Sequence, residues 1–178
     1  MATITLEQII NFLLEAPMFG DLDPTELSQI VHIMQVQRVR EDFIIFREGD
    51  PGDAWYVIYE GSAHVAKLDE NNISRRITSI GPRACFGEMA ILDHSPRSAT
   101  VAASCDSTIF RFPRRDFEAL LREGNLAAYK LIYEMAKILS ARQRRMTREL
   151  AEAMRDGQQP GRLLEASVSM VHDQAVSE

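Results

Sequence analysis

The spacing of apolar residues changes twice along the chain, near residues 36 and 113, and divides the sequence into three regions. Between these limits, apolar residues recur at every second position in short runs, separated by turn-forming stretches such as EGDPGD and DENN. The runs are VQRV, FIIF, WYVIYE, AHVAKL, RRITSI, ATVAA and STIFRF. Many short strands at near-regular spacing are typical of an antiparallel sandwich, roll or barrel.

The regions before and after these strands have helical spacing. Residues 1–35 predict a helical lead-in, in which Asp23 before Pro24 is typical of a helix N-terminus. Residues 114–156 predict C-terminal helices that end in one helix from Leu126 to about Arg155, without Gly or Pro. Such a helix is roughly 45 Å long, which exceeds what a small roll can cover.

An apolar stripe with the coiled-coil spacing of about 3.5 residues follows this long helix. It comprises Ile132, Met135, Leu139, Gln143, Met146, Leu150 and Ala153. A helix that lies on its own domain explains the stripe equally well over this length, but the excess length favours a partner helix, and we expect a homodimer. Residues 157–178 begin with the helix breaker GQQPG and predict a weakly structured tail.

Composition restricts the classes of function. The 26 acidic and 20 basic residues give a formal net charge of -6, which argues against non-specific binding to nucleic acid. No apolar run is long enough for a membrane span. Cys85 and Cys105 show no CxxC spacing and point to the reducing cytoplasm. The four histidines lack the spacing of metal ligands, so we predict no metal site and no cofactor.

The stretch FGEMAILDHSPRSATVAA, residues 86–103, carries one acid, Glu88, and one base, Arg97, on either side of a tight apolar turn. Gly87 permits close approach of a ligand to the backbone, and the N–H groups of a helical turn suit an anion. A carboxylate accepts hydrogen bonds from sugar hydroxyls, whereas a guanidinium matches the oxygens of a phosphate. This chemistry predicts a compact nucleotide with one phosphate; the alternative is an exposed, weakly interacting surface pair.

The stretch resembles the phosphate-binding cassette of the cyclic nucleotide-binding domain family, and residues 48–61, EGDPGDAWYVIYEG, are similar to the glycine-bearing turn of its β-roll. The resemblance covers roughly residues 13–145. It implies an α+β fold: an antiparallel double-stranded β-helix, or jelly-roll-like β-roll, at 36–113, with the cassette at 86–100, N-terminal helices and a long C-terminal helix.

The resemblance also implies a role for each cassette residue. Glu88 matches the acid that accepts the ribose 2′-hydroxyl, and Arg97 matches the base that pairs with the cyclic phosphate. The other implied ligand contacts are Phe86, Gly87, Met89, Ala90, Ser98 and Ala99.

The identity of the base depends on two further positions. Ser98 resembles bacterial cAMP-binding members, whereas a threonine there accompanies cGMP, so we expect cAMP, with cGMP as the second candidate. Arg142 and Gln143 fall where bacterial regulators carry a threonine–serine pair that faces the adenine. They are therefore candidates for capping the base, although they depart from the family's pattern, and Gln143 equally suits a buried polar position of a coiled coil.

The resemblance implies a regulatory module, not an enzyme, that moves its C-terminal helices when a cyclic nucleotide binds. The 23 residues after Arg155 leave no room for a helix-turn-helix, so we expect no direct DNA binding and a separate effector protein. One alternative is a dimerisation module that no longer binds nucleotide. The other, a cupin-like β-roll enzyme, is disfavoured by the spacing of the histidines.

Overall fold

The computed structural model describes residues 4–155, which form five α-helices and eight β-strands. Helices α1 (Leu6–Leu14) and α2 (Pro24–Val31) precede the strands, and a short 3-10 helix, Pro17–Phe19, lies between them. The strands are β1 (Gln35–Val39), β2 (Ile44–Phe46), β3 (Ala54–Glu60), β4 (Ala63–Leu68), β5 (Ser74–Ile80), β6 (Cys85–Phe86), β7 (Thr100–Ala103) and β8 (Ser107–Pro113). Helix α3 (Met89–Leu92) separates β6 from β7, and α4 (Arg114–Arg122) and α5 (Leu126–Arg155) follow β8. The tail predicted at 157–178 lies outside the described residues.

The strands form two four-stranded antiparallel sheets, in the orders β1-β8-β3-β6 and β2-β7-β4-β5. Each sheet combines strands that are distant in sequence, as a roll requires. The predicted α+β fold, an antiparallel β-roll between N-terminal helices and a long C-terminal helix, is confirmed. The seven predicted β-rich runs all contain strands, and β6 is an additional strand of two residues.

The local sequence explains where α2 begins. The Oδ1 atom of Asp23 accepts hydrogen bonds from the backbone N–H groups of Thr25 at 2.8 Å and Glu26 at 2.9 Å. The Glu26 carboxylate in turn accepts from the backbone N–H of Asp23 at 3.0 Å. These reciprocal bonds form a capping box, with Pro24 in the first helical position, where a missing N–H has no cost.

The alternation of side chains along β3 separates two apolar cores. Trp55 and Val57 face the helices, where Trp55 stacks on Phe112 with ring centroids 4.0 Å apart. Tyr56 and Ile58 face the interior of the roll. Because successive residues of a strand point to opposite faces, one strand contributes to both cores. β3 is therefore buried along almost its whole length.

Helix α5 belongs to the core only in its first half. Leu131 and Met135 are fully buried, whereas no side chain described between residues 140 and 152 is buried. Met146 and Leu150, from the predicted apolar stripe, are 45% and 46% exposed. The second half of α5 thus presents apolar side chains that the described residues of its own domain do not cover.

Among the described residues, no helix is both long enough and apolar enough to span a membrane.

Candidate functional site

The strand β6, the helix α3 and the following loop hold Glu88 and Arg97 inside the protein. Both residues are only 3% exposed. Glu88 lies at the N-terminus of α3, and Arg97 lies in the loop that leads to β7. The alternative of an exposed surface pair is therefore wrong. Their recorded ion pairs are also with other residues, Arg142 for Glu88 and Asp53 for Arg97.

The Arg97 guanidinium is fixed by the backbone around it. Its Nη1 donates to the carbonyl of Gly87 at 2.8 Å, and its Nη2 donates to the carbonyl of Ala54 at 2.7 Å and to Asp53 Oδ1 at 3.1 Å. The Phe46 ring lies beneath it, with Cζ 4.1 Å from the ring centroid. The Nε–H of Arg97 is buried and has no hydrogen-bond partner among residues 4–155. A buried donor of this kind is costly unless a partner completes it.

Gly87 is required at this point by both conformation and space. Its φ of +78° lies in the left-handed region that side chains disfavour. A Cβ atom there would lie 2.8 Å from Nη1 of Arg97 and 3.3 Å from the Phe46 ring. Only glycine therefore allows the backbone to approach the guanidinium so closely.

The turn between β2 and β3 holds the cassette from the other side. The backbone N–H of Arg97 donates to Asp50 at 2.8 Å, and that of Gly49 donates to the Arg97 carbonyl at 2.9 Å. A Cβ atom at Gly52 would overlap that of Ala90, 2.3 Å away. The turn and the cassette are thus packed backbone against backbone.

The charges near Arg97 do not balance within the described contacts. Asp53 also accepts from Nη2 of Arg111 at 2.6 Å, so one carboxylate serves two guanidinium groups. Burial lowers the pKa of Arg111, but its hydrogen bonds to Asp53 and Tyr56 outweigh this and raise the pKa above its ordinary value. Burial, and then the charge of Asp53, raises the pKa of Tyr56. The cluster of Arg97, Arg111 and Asp53 carries one net positive charge, which a singly charged anion would neutralise.

By contrast, the Glu88 carboxylate is paired with one guanidinium group. Its Oε1 accepts from Nη1 of Arg142, on α5, at 3.0 Å. Nearby, burial and then the charge of Glu88 raise the pKa of the Cys85 thiol well above its ordinary value. The Glu88 carboxylate is therefore paired with a guanidinium group in this structure.

The other predicted site residues differ in burial and in their contacts. Phe86 is buried and stacks on Tyr56, with ring centroids 5.2 Å apart. Ala90 is buried, Ala99 is half-buried, and Met89 and Ser98 are exposed. Gln143 is exposed on α5, and its backbone carbonyl accepts a hydrogen bond from the Thr147 hydroxyl at 3.0 Å. Arg142 is thus joined to the cassette, whereas no recorded contact of the described chain joins Gln143 to it. A base-capping role for either residue stays a prediction.

Three residues near Arg97 are not predicted from the sequence: Phe46, Asp53 and Arg111. The quoted EGDPGD motif contains Asp53, and a charged residue at the end of a glycine-rich turn could have suggested it. No local signal connects Phe46 or Arg111 with Arg97, because the fold alone brings their strands together. Among residues 4–155, no three His, Cys, Asp or Glu side chains lie close enough together to hold a metal ion.

A family model described as "Cyclic nucleotide-binding domain" matches residues 36–124, half of the chain, including every strand from β2 onward and the whole cassette. The chain belongs to the cyclic nucleotide-binding domain family.

Relatives of several kinds are similar to this chain. The cyclic AMP receptor protein of Thermus thermophilus is 31% identical over 70% of this chain and 57% of its own length. A cAMP-dependent protein kinase regulatory subunit of Eremothecium gossypii is 29% identical over 66% of this chain and 24% of its own length. A cyclic nucleotide-gated potassium channel of Mesorhizobium japonicum is 36% identical over 58% and 27%. This cyclic nucleotide-binding domain thus spans about a quarter of the last two relatives and just over half of the first.

Solved structures share the architecture. A cyclic nucleotide-binding domain from Methylobacillus flagellatus superposes with a TM-score of 0.73 and 28% identity, over 82% of this chain and 85% of that one. The catabolite activator protein of Thermus thermophilus gives a TM-score of 0.62 and 25% identity, over 89% and 85%.

Proposed function

We propose that this chain is a regulatory module that binds a cyclic nucleotide, with cAMP preferred over cGMP, and performs no chemistry of its own. The observation that carries the proposal is the buried guanidinium of Arg97. Its Nε–H has no partner in the described part of the chain, and its cluster carries one net positive charge. A cyclic phosphate supplies both missing elements: acceptor oxygens for Nε–H and a single negative charge.

The proposed role of Glu88 is to bind the sugar of the ligand. Its buried carboxylate suits a ribose 2′-hydroxyl, because a carboxylate accepts but does not donate hydrogen bonds. The resemblance adds contacts from the cassette backbone at Gly87, Met89, Ala90, Ser98 and Ala99, and from Phe86. The relatives named for cAMP, together with Ser98, favour adenine as the base.

The signal would pass from the cassette to the C-terminal helices through packing. Ile91 of α3 belongs to the same apolar core as Phe117 of α4 and Leu131 and Met135 of α5. Displacement of α3 by the ligand therefore changes the surface on which α4 and α5 rest. A ligand that prefers one arrangement shifts the population toward it.

We further propose that a second copy of the chain covers the exposed apolar side of α5. Met146 and Leu150 lie beyond the part of α5 that its own domain buries, at the spacing of a coiled coil. A separate effector protein would then read the position of the paired helices. Both cysteines of the chain are free thiols, which suits the reducing cytoplasm.

Replacement of Arg97 tests the site. Arg97→Ala is expected to weaken cAMP binding by about 2–5 kcal/mol, because the phosphate loses its buried charged partner. Isothermal titration calorimetry measures the affinity, and thermal melting monitored by circular dichroism shows whether the variant is folded. If Arg97→Ala does not fold, Arg97→Lys, which keeps the charge but not the planar fork, is titrated instead.

Arg75→Ala is the matched control, because it removes an arginine that pairs with Asp69 on the hairpin of β4 and β5. It is expected to bind cAMP as the wild type does. A folded Arg97 variant that binds cAMP with wild-type affinity would show that the ligand does not use this cluster.

A further inference from the structure

The ion pair between Glu88 and Arg142 links the proposed ribose acceptor to α5. The two residues are 54 positions apart, and Nη1 of Arg142 lies 3.0 Å from Oε1 of Glu88. The Glu88 side chain is 4% exposed and that of Arg142 is 47% exposed. The guanidinium therefore lies on the solvent side of the carboxylate, where a hydroxyl from solution would have to approach.

The pair contributes to the position of α5. A buried carboxylate without a partner is strongly destabilised, so Glu88 favours the arrangement in which Arg142 reaches it. Arg142 has the opposite preference, since its half-exposed guanidinium can be hydrated without Glu88. If Arg142 leaves Glu88, the carboxylate therefore needs a new hydrogen-bond donor. The Arg142 guanidinium needs no new partner from the protein, because water can hydrate it.

We propose that Arg142 competes with the ribose 2′-hydroxyl of the ligand for Glu88, and so makes nucleotide affinity depend on that hydroxyl. This rests on the proposed function, because it assigns the hydroxyl to Glu88. The hydroxyl donates to Glu88 and replaces the guanidinium, and the loss of the ion pair reduces the net affinity. Release of Arg142 also removes the charged link between the cassette and α5.

The proposal separates two parts of the ligand. The phosphate binds at the cluster of Arg97, Arg111 and Asp53, which does not include Arg142 among its recorded contacts. The 2′-hydroxyl alone competes with Arg142. In this proposal the pair with Glu88 takes the place of the predicted base-capping role of Arg142. A nucleotide without this hydroxyl leaves the pair between Glu88 and Arg142 intact, so its affinity does not depend on Arg142.

The test compares cAMP with 2′-deoxy-cAMP by calorimetric titration of the wild type and Arg142→Gln. Arg142→Gln is expected to bind cAMP more tightly, on the order of two- to tenfold, as the loss of a partly exposed ion pair allows. Its affinity for 2′-deoxy-cAMP is expected to equal that of the wild type. Arg145→Gln, which removes an arginine paired with Glu149 on the same helix, is expected to change neither affinity.

The same Arg142→Gln substitution, made in a protein that already carries Glu88→Gln, distinguishes competition from a general effect on the fold. In Glu88→Gln, where the ion pair is already lost, the further change Arg142→Gln is expected to leave cAMP affinity unchanged. Weaker or unchanged binding of cAMP by Arg142→Gln, or an equal gain for both nucleotides, would overturn the competition. Failure of the folded wild type to bind either nucleotide would instead refute the proposed function.

Discussion

The charged residues of the candidate site differ in whether their neighbours balance their charge. Arg97 and Arg111 share the single carboxylate of Asp53, whereas Glu88 and Arg142 form a balanced pair. The first group therefore attracts an anion, and the second offers a hydroxyl acceptor once its cation leaves. The proposed function therefore divides sugar and phosphate recognition between two clusters, whose central residues are Glu88 and Arg97.

Gly87 provides a test of this geometry at the level of one atom. Gly87→Ala is expected to cost about 1–2 kcal/mol of stability from its positive φ, and also to weaken cAMP binding, because the new Cβ displaces Nη1 of Arg97. Gly124→Ala is the control: its φ is +74°, but among the described residues no atom beyond its own neighbours in the chain lies within 4 Å of its added Cβ. Chemical denaturation and calorimetric titration measure the two effects.

Both glycine variants are expected to lose similar stability, and only Gly87→Ala is expected to lose affinity. Wild-type affinity in a folded Gly87→Ala protein would mean that the position of the Arg97 guanidinium does not control binding.

The two cysteines are expected to differ in reactivity. Burial, and then Glu88, raises the pKa of Cys85, whereas hydrogen bonds from Ser62 and then Ser107 lower that of Cys105. Because the thiolate is the reactive form, alkylation of Cys105 should begin at lower pH than that of Cys85. Mass spectrometry of iodoacetamide-treated protein across neutral to alkaline pH measures both rates. Comparable rates are expected only in urea, and faster labelling of Cys85 in the folded protein would contradict these pKa directions.

At the scale of elements, the helices and strands differ in how well the sequence predicts them. The capping box at Asp23 and the seven β-rich runs are local signals, and each corresponds to an observed element. Strand β6 was missed because two residues carry no periodicity; it exists through pairing of Cys85 and Phe86 with β3.

Helix α5 is the element that carries the contact of the proposed dimer. The double variant Met146→Glu and Leu150→Glu is expected to convert the proposed dimer into monomers, because it places charges in the apolar contact between the two helices. Sedimentation velocity measures the mass. Arg148→Glu, on the opposite side of the helix, is the control and is expected to stay dimeric. A monomeric wild type, or a double variant that stays dimeric, would contradict the proposal.

For the molecule as a whole, the sequence identifies candidate site residues but not the contacts between them. Glu88 and Arg97 could be identified from residue type and spacing, together with the resemblance. The partners Asp53 and Arg142 are 44 and 54 residues away from them, and such contacts depend on how the sheets and α5 come together. The sequence indicates Arg142 as a candidate for capping the base, but it does not predict the contact of Arg142 with Glu88.

Two kinds of contact connect the cassette to helix α5. Ile91 and Cys85, from the cassette and the preceding strand, pack in or against the core that contains Leu131 and Met135 of α5. The pair between Glu88 and Arg142 adds a charged link farther along the same helix. Binding at the cassette can therefore act on α5 both through packing and through charge.

The central claim is that Arg97 and Glu88 hold a cyclic nucleotide, and calorimetric titration of the wild type with cAMP tests it most directly. The account predicts saturable binding of one cAMP per chain, and loss of most of that affinity in folded Arg97→Ala. Absence of heat with either cAMP or cGMP at concentrations near 1 mM, where even weak binding of about −4 kcal/mol is visible, would contradict it.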